Sequence, residues 1–403
     1  MTAQASDPVG RSAIASISWR ILPLIGLGYL FSSMDRINVS FAALQMNAEL
    51  GFSATVYGLG AGMFYLAYAL FEIPSNMLLT RVGARRWLAR IMVTWGILAA
   101  SMMFVRSPLQ FYVLRFLLGI AEAGFFPGVI YYLSQWFPLA QRGRAVSQFY
   151  FFGPLSVTLI GAASPPLLNL QGVAGLSGWQ WLFLVEGLPA GLVGLGILLL
   201  LPDSLATARW LTPQQRTWLD GELTADRARM PAAGSATLGA ALKHPCTLRF
   251  GLLSFLTIGA TVTYGLSGPL MLKHAGFANP AIGALLASGG VLGALGMLVT
   301  GWISDRRGER FTTMWISTAV MALSFAIATL ATSPAATAIG YLLYSVSWAS
   351  ITLSQVSAWP DVLPGKILAL ACAGINSLSQ AGALSCRCSG GGSQTPPIAP
   401  RPG

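Results

Sequence analysis

Among the charged residues inside stretches otherwise apolar enough for hydrocarbon, four fall in two short strings. Asp35 and Arg36 stand side by side in ILPLIGLGYLFSSMDRINVSFAAL (Ile21–Leu44), and Arg115 and Glu122 share YVLRFLLGIAEAGFFPG (Tyr112–Gly128). A charge at the centre of a bilayer costs at least about 2.5–3.5 kcal/mol, so such residues mark a substrate path, an ion path or a pair that locks helices together. A guanidinium is a permanent, bidentate clamp for a carboxylate, which makes Arg36 and Arg115 candidates for holding an organic anion. Each would equally serve to neutralise a neighbouring acid. Asp35 and Glu122 are acids that can take up and release protons in a membrane interior. Glu122 follows Arg115 by two helical turns, about 10 Å along one face, so a single helix presents a cation and an acid together.

The elements that must position these groups are membrane helices. Of the 403 residues 54% are hydrophobic and 9% charged, whereas a soluble protein carries about 25% charged residues. A span needs about 20 mostly apolar residues. Such runs are expected near 21–44, 57–79, 88–105, 109–134, 145–168, 180–201, 248–272, 281–303, 312–331, 335–359 and 365–384. Helices satisfy their own backbone bonds in lipid, and the weak ten-residue alternation of a β-barrel is absent from the sequence. The first run is too long for a signal-peptide core and is expected to be retained as a helix.

The net charge of +11 does not point to nucleic acid, because of where it lies. With a cytoplasmic N-terminus, the inner segments hold eighteen Lys and Arg and the outer loops two, Arg106 and Lys273. That asymmetry is the positive-inside pattern and predicts the orientation. Cys246, Cys372, Cys386 and Cys388 form no disulfide framework. Two histidines, His244 and His274, without clustered ligands make a metal site unexpected, and no cofactor is implied.

The organisation predicted is an N-terminus over 1–19, a six-helix bundle over 20–201, a linker over 202–247, a second bundle of five spans over 248–384 and an aberrant tail over 385–403. Within the linker, Thr212 is the expected N-cap before Pro213 of an amphipathic helix. The halves repeat a loop. NMLLTRVGARR (Asn76–Arg86) follows the second span, and GWISDRRGERF (Gly301–Phe311) follows the eighth. A tight helix–loop–helix turn needs the glycine, and the arginines suit anionic lipid or facing helix ends. Two copies imply two bundles related by duplication.

This loop frame resembles the signature of the major facilitator superfamily. It is intact at Gly301, Asp305, Arg306, Gly308 and Arg310, and altered in the first copy, where Asn76 and Thr80 accompany Arg81, Gly83 and Arg85. The strings at Met34–Gly51, Ile73–Gly96, Tyr112–Gly128 and Pro202–Leu219 resemble the anion:cation symporter family within it, whose members import tartrate, phthalate, aromatic acids and sugar acids. The resemblance implies an all-α polytopic membrane protein with the major facilitator fold, two pseudo-symmetric six-helix bundles with the last helix missing. It implies that Asp35 and Glu122 couple protons and that Arg36 and Arg115 bind substrate or gate it. Tyr68 matches a substrate-facing tyrosine and Asn376 a polar cavity position, although packing roles fit both. Glu72 and Glu186 each precede a proline near a span end and read as structural.

From Ser385 the chain reads SCRCSGGGSQTPPIAPRPG, with no apolar run for a twelfth span, as a frameshift or truncation would leave it. The expected function is proton-coupled import of a small organic anion by a monomer in the inner membrane, with Na⁺ as the alternative coupling ion. The rivals are a proton-driven drug exporter and a non-transporting truncated product or receptor. An enzyme is not expected, for want of a nucleophile–base arrangement.

Overall fold

The computed structural model describes residues 8–229, 242–307, 311–330, 333–363, 371 and 374–382. Among these, secondary structure is helical: α1 (Pro8–Leu50), α2 (Ala54–Val82), α3 (Ala84–Ser101), α4 (Pro108–Glu122), α5 (Phe125–Trp136), α6 (Leu139–Tyr150), α7 (Phe152–Leu168), α8 (Gly178–Leu200), α9 (Pro213–Arg229), α10 (Pro245–His274), α11 (Asn279–Arg307), α12 (Phe311–Leu330) and α13 (Pro334–Val362). Residues 374–382 form a further helical stretch. Ten spans among the described residues are long and apolar enough to cross a membrane. The eleventh expected span, 365–384, lies largely outside the described residues, as does the tail.

Local chemistry sets the helix starts. Ser53, Ser107 and Ser333 each accept a hydrogen bond from the amide three residues on, and prolines follow Ser107 and Ser333 in the first turn, where no amide donor is needed. Thr212 and Gln215 cap each other reciprocally at the start of α9, at 3.2 and 3.0 Å. That helix lies against the N-terminal half: Gln215 donates to Ser12 at 2.8 Å, and Asp226 accepts from the Leu139 amide at 2.6 Å.

Two of the expected spans differ from the sequence reading. The run 109–134 is two helices, α4 and α5, broken at Ala123 and Gly124, and the run 145–168 begins earlier, at Leu139, and bends at Phe151. Gly124 has φ 86°, a backbone that disfavours a side chain. The break is fastened from α2, where Ser75 Oγ donates to the Ala123 carbonyl at 2.6 Å and itself accepts from Trp87 at 3.0 Å.

Helices approach closely where glycines face neighbouring backbone. A Cβ on Gly96 of α3 would meet the Gly191 backbone of α8, and one on Gly119 of α4 would meet the Phe64 carbonyl of α2. The N- and C-terminal halves touch through α7 and α11, where Gly161 abuts Ala287 and Gly283 abuts Pro165, and through α1 and α10. Large apolar side chains also point outward, Leu199 at 77%, Trp315 at 69% and Leu192 at 67% exposure, as lipid-facing surfaces require.

Candidate functional site

Between the halves lies a cavity of about 810 Å³. It follows the second half of α2, where Tyr65, Tyr68, Glu72 and Asn76 recur at intervals of three and four residues and so share one face. α1 contributes Arg36, and α10, α13 and residues 374–382 contribute Ser254, Gln355 and Asn376. Arg142 of α6 lines one end. Towards the start of α2 the halves are joined: Tyr57 donates to the Leu266 carbonyl at 3.1 Å.

The charged residues of α1 and α4 form two layers. Arg36 faces the cavity and donates from Nε and Nη2 to Glu122 Oε1, at 2.9 and 2.6 Å. Ser32 Oγ donates to the same oxygen at 2.7 Å. The Arg36 side chain is 29% exposed and that of Glu122 is wholly enclosed. The guanidinium also sits over the rings of Tyr68 and Phe64, at 5.1 and 5.9 Å, which adds a cation–π attraction to the pair.

Arg115 differs from its expected place. It does not line the cavity but is buried, with its guanidinium 4.8 Å from the Phe64 ring. Its nitrogens make no hydrogen bond among the described residues. A direct clamp on substrate is therefore not available to it in this conformation, because α4 turns it into the bundle. Asp35 is buried in the same layer, within electrostatic range of Arg115 and Glu122, and accepts from Asn38 at 3.3 Å. Glu186 of α8 joins this layer with Asn38 and Asp35 as polar neighbours.

Tyr68 and Asn376 line the cavity. Sequence reasoning missed Glu72 as a cavity residue. Its carboxylate accepts from Asn376 Nδ2 at 2.7 Å, across the two halves. Pro74 does not end α2, so Glu72 lies mid-helix, one turn after Tyr68. That i to i+4 spacing was the available signal.

The first loop copy is a working turn. Gly83 joins α2 to α3 at φ 96°, and its amide donates to Leu79 at 3.0 Å. Arg85 reaches the end of α8, donating to the Leu201 carbonyl at 3.3 Å and pairing with Asp203 at 2.6 Å. Arg81 is exposed. In the second copy Gly301 and Arg306 lie on α11, with Arg306 over Trp302 at 5.1 Å. The Asp305 side chain, Gly308 and Arg310 lie outside the described residues. Among the described residues no group of three or more His, Cys, Asp or Glu side chains could hold a metal ion.

A multi-span helical protein with a largely apolar cavity between two halves, a few polar side chains converging on it and a paired guanidinium facing it, is built as a membrane carrier. The sequence pattern of the Major Facilitator Superfamily matches residues 25–385, and the chain belongs to that superfamily: it is a membrane transporter and not an enzyme. A relative in Agrobacterium vitis named "Putative tartrate transporter" is 40% identical over 372 residues, 92% of this chain and 82% of the relative. A "Quinolone resistance transporter" of Acinetobacter baumannii is 36% identical over 384 residues, 93% of this chain and 86% of the relative. The fold is also that of the xylose transporter XylE of E. coli in a partially occluded inward-open conformation, with a TM-score of 0.71 at 15% identity, covering 93% of this chain and 91% of that one.

Proposed function

We propose that the protein imports a small organic anion, of the tartrate, phthalate, aromatic-acid or sugar-acid class, by proton symport with alternating access. The observation that carries this reading is the Arg36–Glu122 pair: a cation turned to the cavity and held by an acid enclosed behind it. An entering carboxylate competes with Glu122 for the same guanidinium donors. A proton on Glu122 removes its negative charge and hands Arg36 to the substrate, so proton and anion bind together. Asp35 and Arg115 form the second layer, where Asp35 is a further proton acceptor and Arg115 holds positive charge behind the site. Tyr68 and Asn376 contact the substrate. The tartrate assignment of the A. vitis relative supports the substrate class.

The moving bodies are 20–201 and 248–384, joined by the 202–247 linker and rocking about the cavity. The charge asymmetry of the loops supports a cytoplasmic N-terminus, and the bacterial relatives support the plasma (inner) membrane. The partners are the anion, H⁺ (with Na⁺ the alternative) and the lipid bilayer, with the chain acting as a monomer.

Uptake of radiolabelled tartrate into inside-acidified and inside-alkaline proteoliposomes tests the reading. Accumulation is expected only with an inward proton gradient, and Arg36→Ala abolishes it; unaltered uptake by that variant refutes the clamp. The quinolone-resistance relative favours one second reading, proton-driven export. It predicts a raised quinolone tolerance in cells that express the chain, without tartrate uptake.

A further inference from the structure

Glu72 lines the cavity beside Tyr68, a carboxylate in a site read above as taking an anion. Its carboxylate is held from one side: Oε1 accepts from Asn376 Nδ2 at 2.7 Å. Oε2 is buried and has no hydrogen-bond partner among the described residues. Arg36 is the cation in electrostatic range of Glu72, but its Nε and Nη2 donors are on Glu122. Tyr68, over which Arg36 sits, precedes Glu72 by one turn, about 6 Å along α2.

An anion that offered only carboxylates would meet repulsion at Glu72 and leave Oε2 unpaired. A ligand that brought a hydroxyl there would supply the missing donor while its carboxylate lay on Arg36. We propose that Glu72 is a specificity-determining residue whose Oε2 accepts a hydrogen bond from a hydroxyl of the transported acid, so the carrier selects hydroxy acids over the same acids lacking the hydroxyl. This rests on the organic-anion reading above. A buried group built to bond a substrate hydroxyl rejects the analogue without it, because that group is then left unpaired.

Competition against radiolabelled tartrate uptake in proteoliposomes of the full chain tests it, with malate and succinate as competitors, since they differ by one hydroxyl. In the wild type malate is expected to compete about tenfold or more better than succinate. In Glu72→Gln, Asn376 keeps the amide oxygen and the amide nitrogen takes the place of Oε2. An acceptor becomes a donor, and the malate advantage is expected to vanish or reverse. Glu72→Asp keeps the carboxylate and the sign of the preference. Equal competition by malate and succinate in the wild type, or an unchanged ratio in a transporting Glu72→Gln, overturns the proposal alone. Absence of any carboxylate uptake or binding by the wild type fails the organic-anion reading itself.

Discussion

Arg36 and Glu122 meet through a single oxygen. Oε1 takes both guanidinium donors and the Ser32 hydroxyl, whereas Oε2 is buried without a partner among the described residues. The two residues lie 86 positions apart in sequence, on α1 and α4, and α4 ends at Glu122, next to a break held by Ser75. The acid is enclosed and the cation is not, so the pair has a direction: loss of charge on the acid frees a cation that already faces the cavity.

Glu122→Gln keeps an acceptor for Arg36 but removes the negative charge beside it. Uptake driven by an inward proton gradient is expected to fall by about 10²-fold or more, the usual contribution of a positioned proton carrier. Exchange of internal for external anion, which needs no net proton movement, persists. The two assays on one proteoliposome preparation separate lost coupling from lost folding.

Arg36→Lys keeps the charge but not the planar fork, so it cannot present two parallel donors in a fixed geometry. The half-saturating tartrate concentration is expected to rise about tenfold, the cost of one charge-assisted hydrogen bond. Size-exclusion elution is expected to match that of the wild type.

Much of this site was legible from charge in apolar runs, because the bilayer penalty leaves few reasons to keep Asp35, Arg36, Arg115 and Glu122. Their layering was not. Spacing along α4 places Arg115 and Glu122 on one face, but only packing decides that the face turns into the bundle at Arg115. From sequence alone Glu72 reads as structural, because Pro74 suggests a span end. The helix runs through to Val82, with Asn76 bonded to the Glu72 carbonyl at 2.8 Å. The α4–α5 break was equally hidden, since AEAG carries one glycine in an apolar run and its cause, Ser75, lies in another helix.

That break supplies a stability test. Gly124 needs a left-handed backbone, and a Cβ there would meet Ser75 Oγ at 2.5 Å. Gly124→Ala is expected to destabilise the protein by about 1–3 kcal/mol. Gly143→Ala, inside α6 with nothing within 4 Å of the added carbon, is expected to stabilise by about 0.5–1 kcal/mol. Thermal unfolding in detergent by intrinsic tryptophan fluorescence ranks the three proteins.

The crossing of α7 and α11 supplies a conformational test. Gly161 meets the Ala287 backbone there, so a larger side chain forces the halves apart at that end. Gly161→Leu is expected to lengthen the spin-label distance between cysteines placed at Ala54 and Lys273 in a background without native cysteines. An unchanged distance distribution would show that the crossing does not hold that end closed.

Proton uptake on anion binding is the most direct measurement of the coupled site. Tartrate is added to purified protein in unbuffered detergent solution, and the pH change is recorded beside the bound anion. Wild type is expected to take up about one proton per anion, since one acid must release Arg36, and Glu122→Gln none. Binding of tartrate by the wild type with no proton taken up would contradict the account.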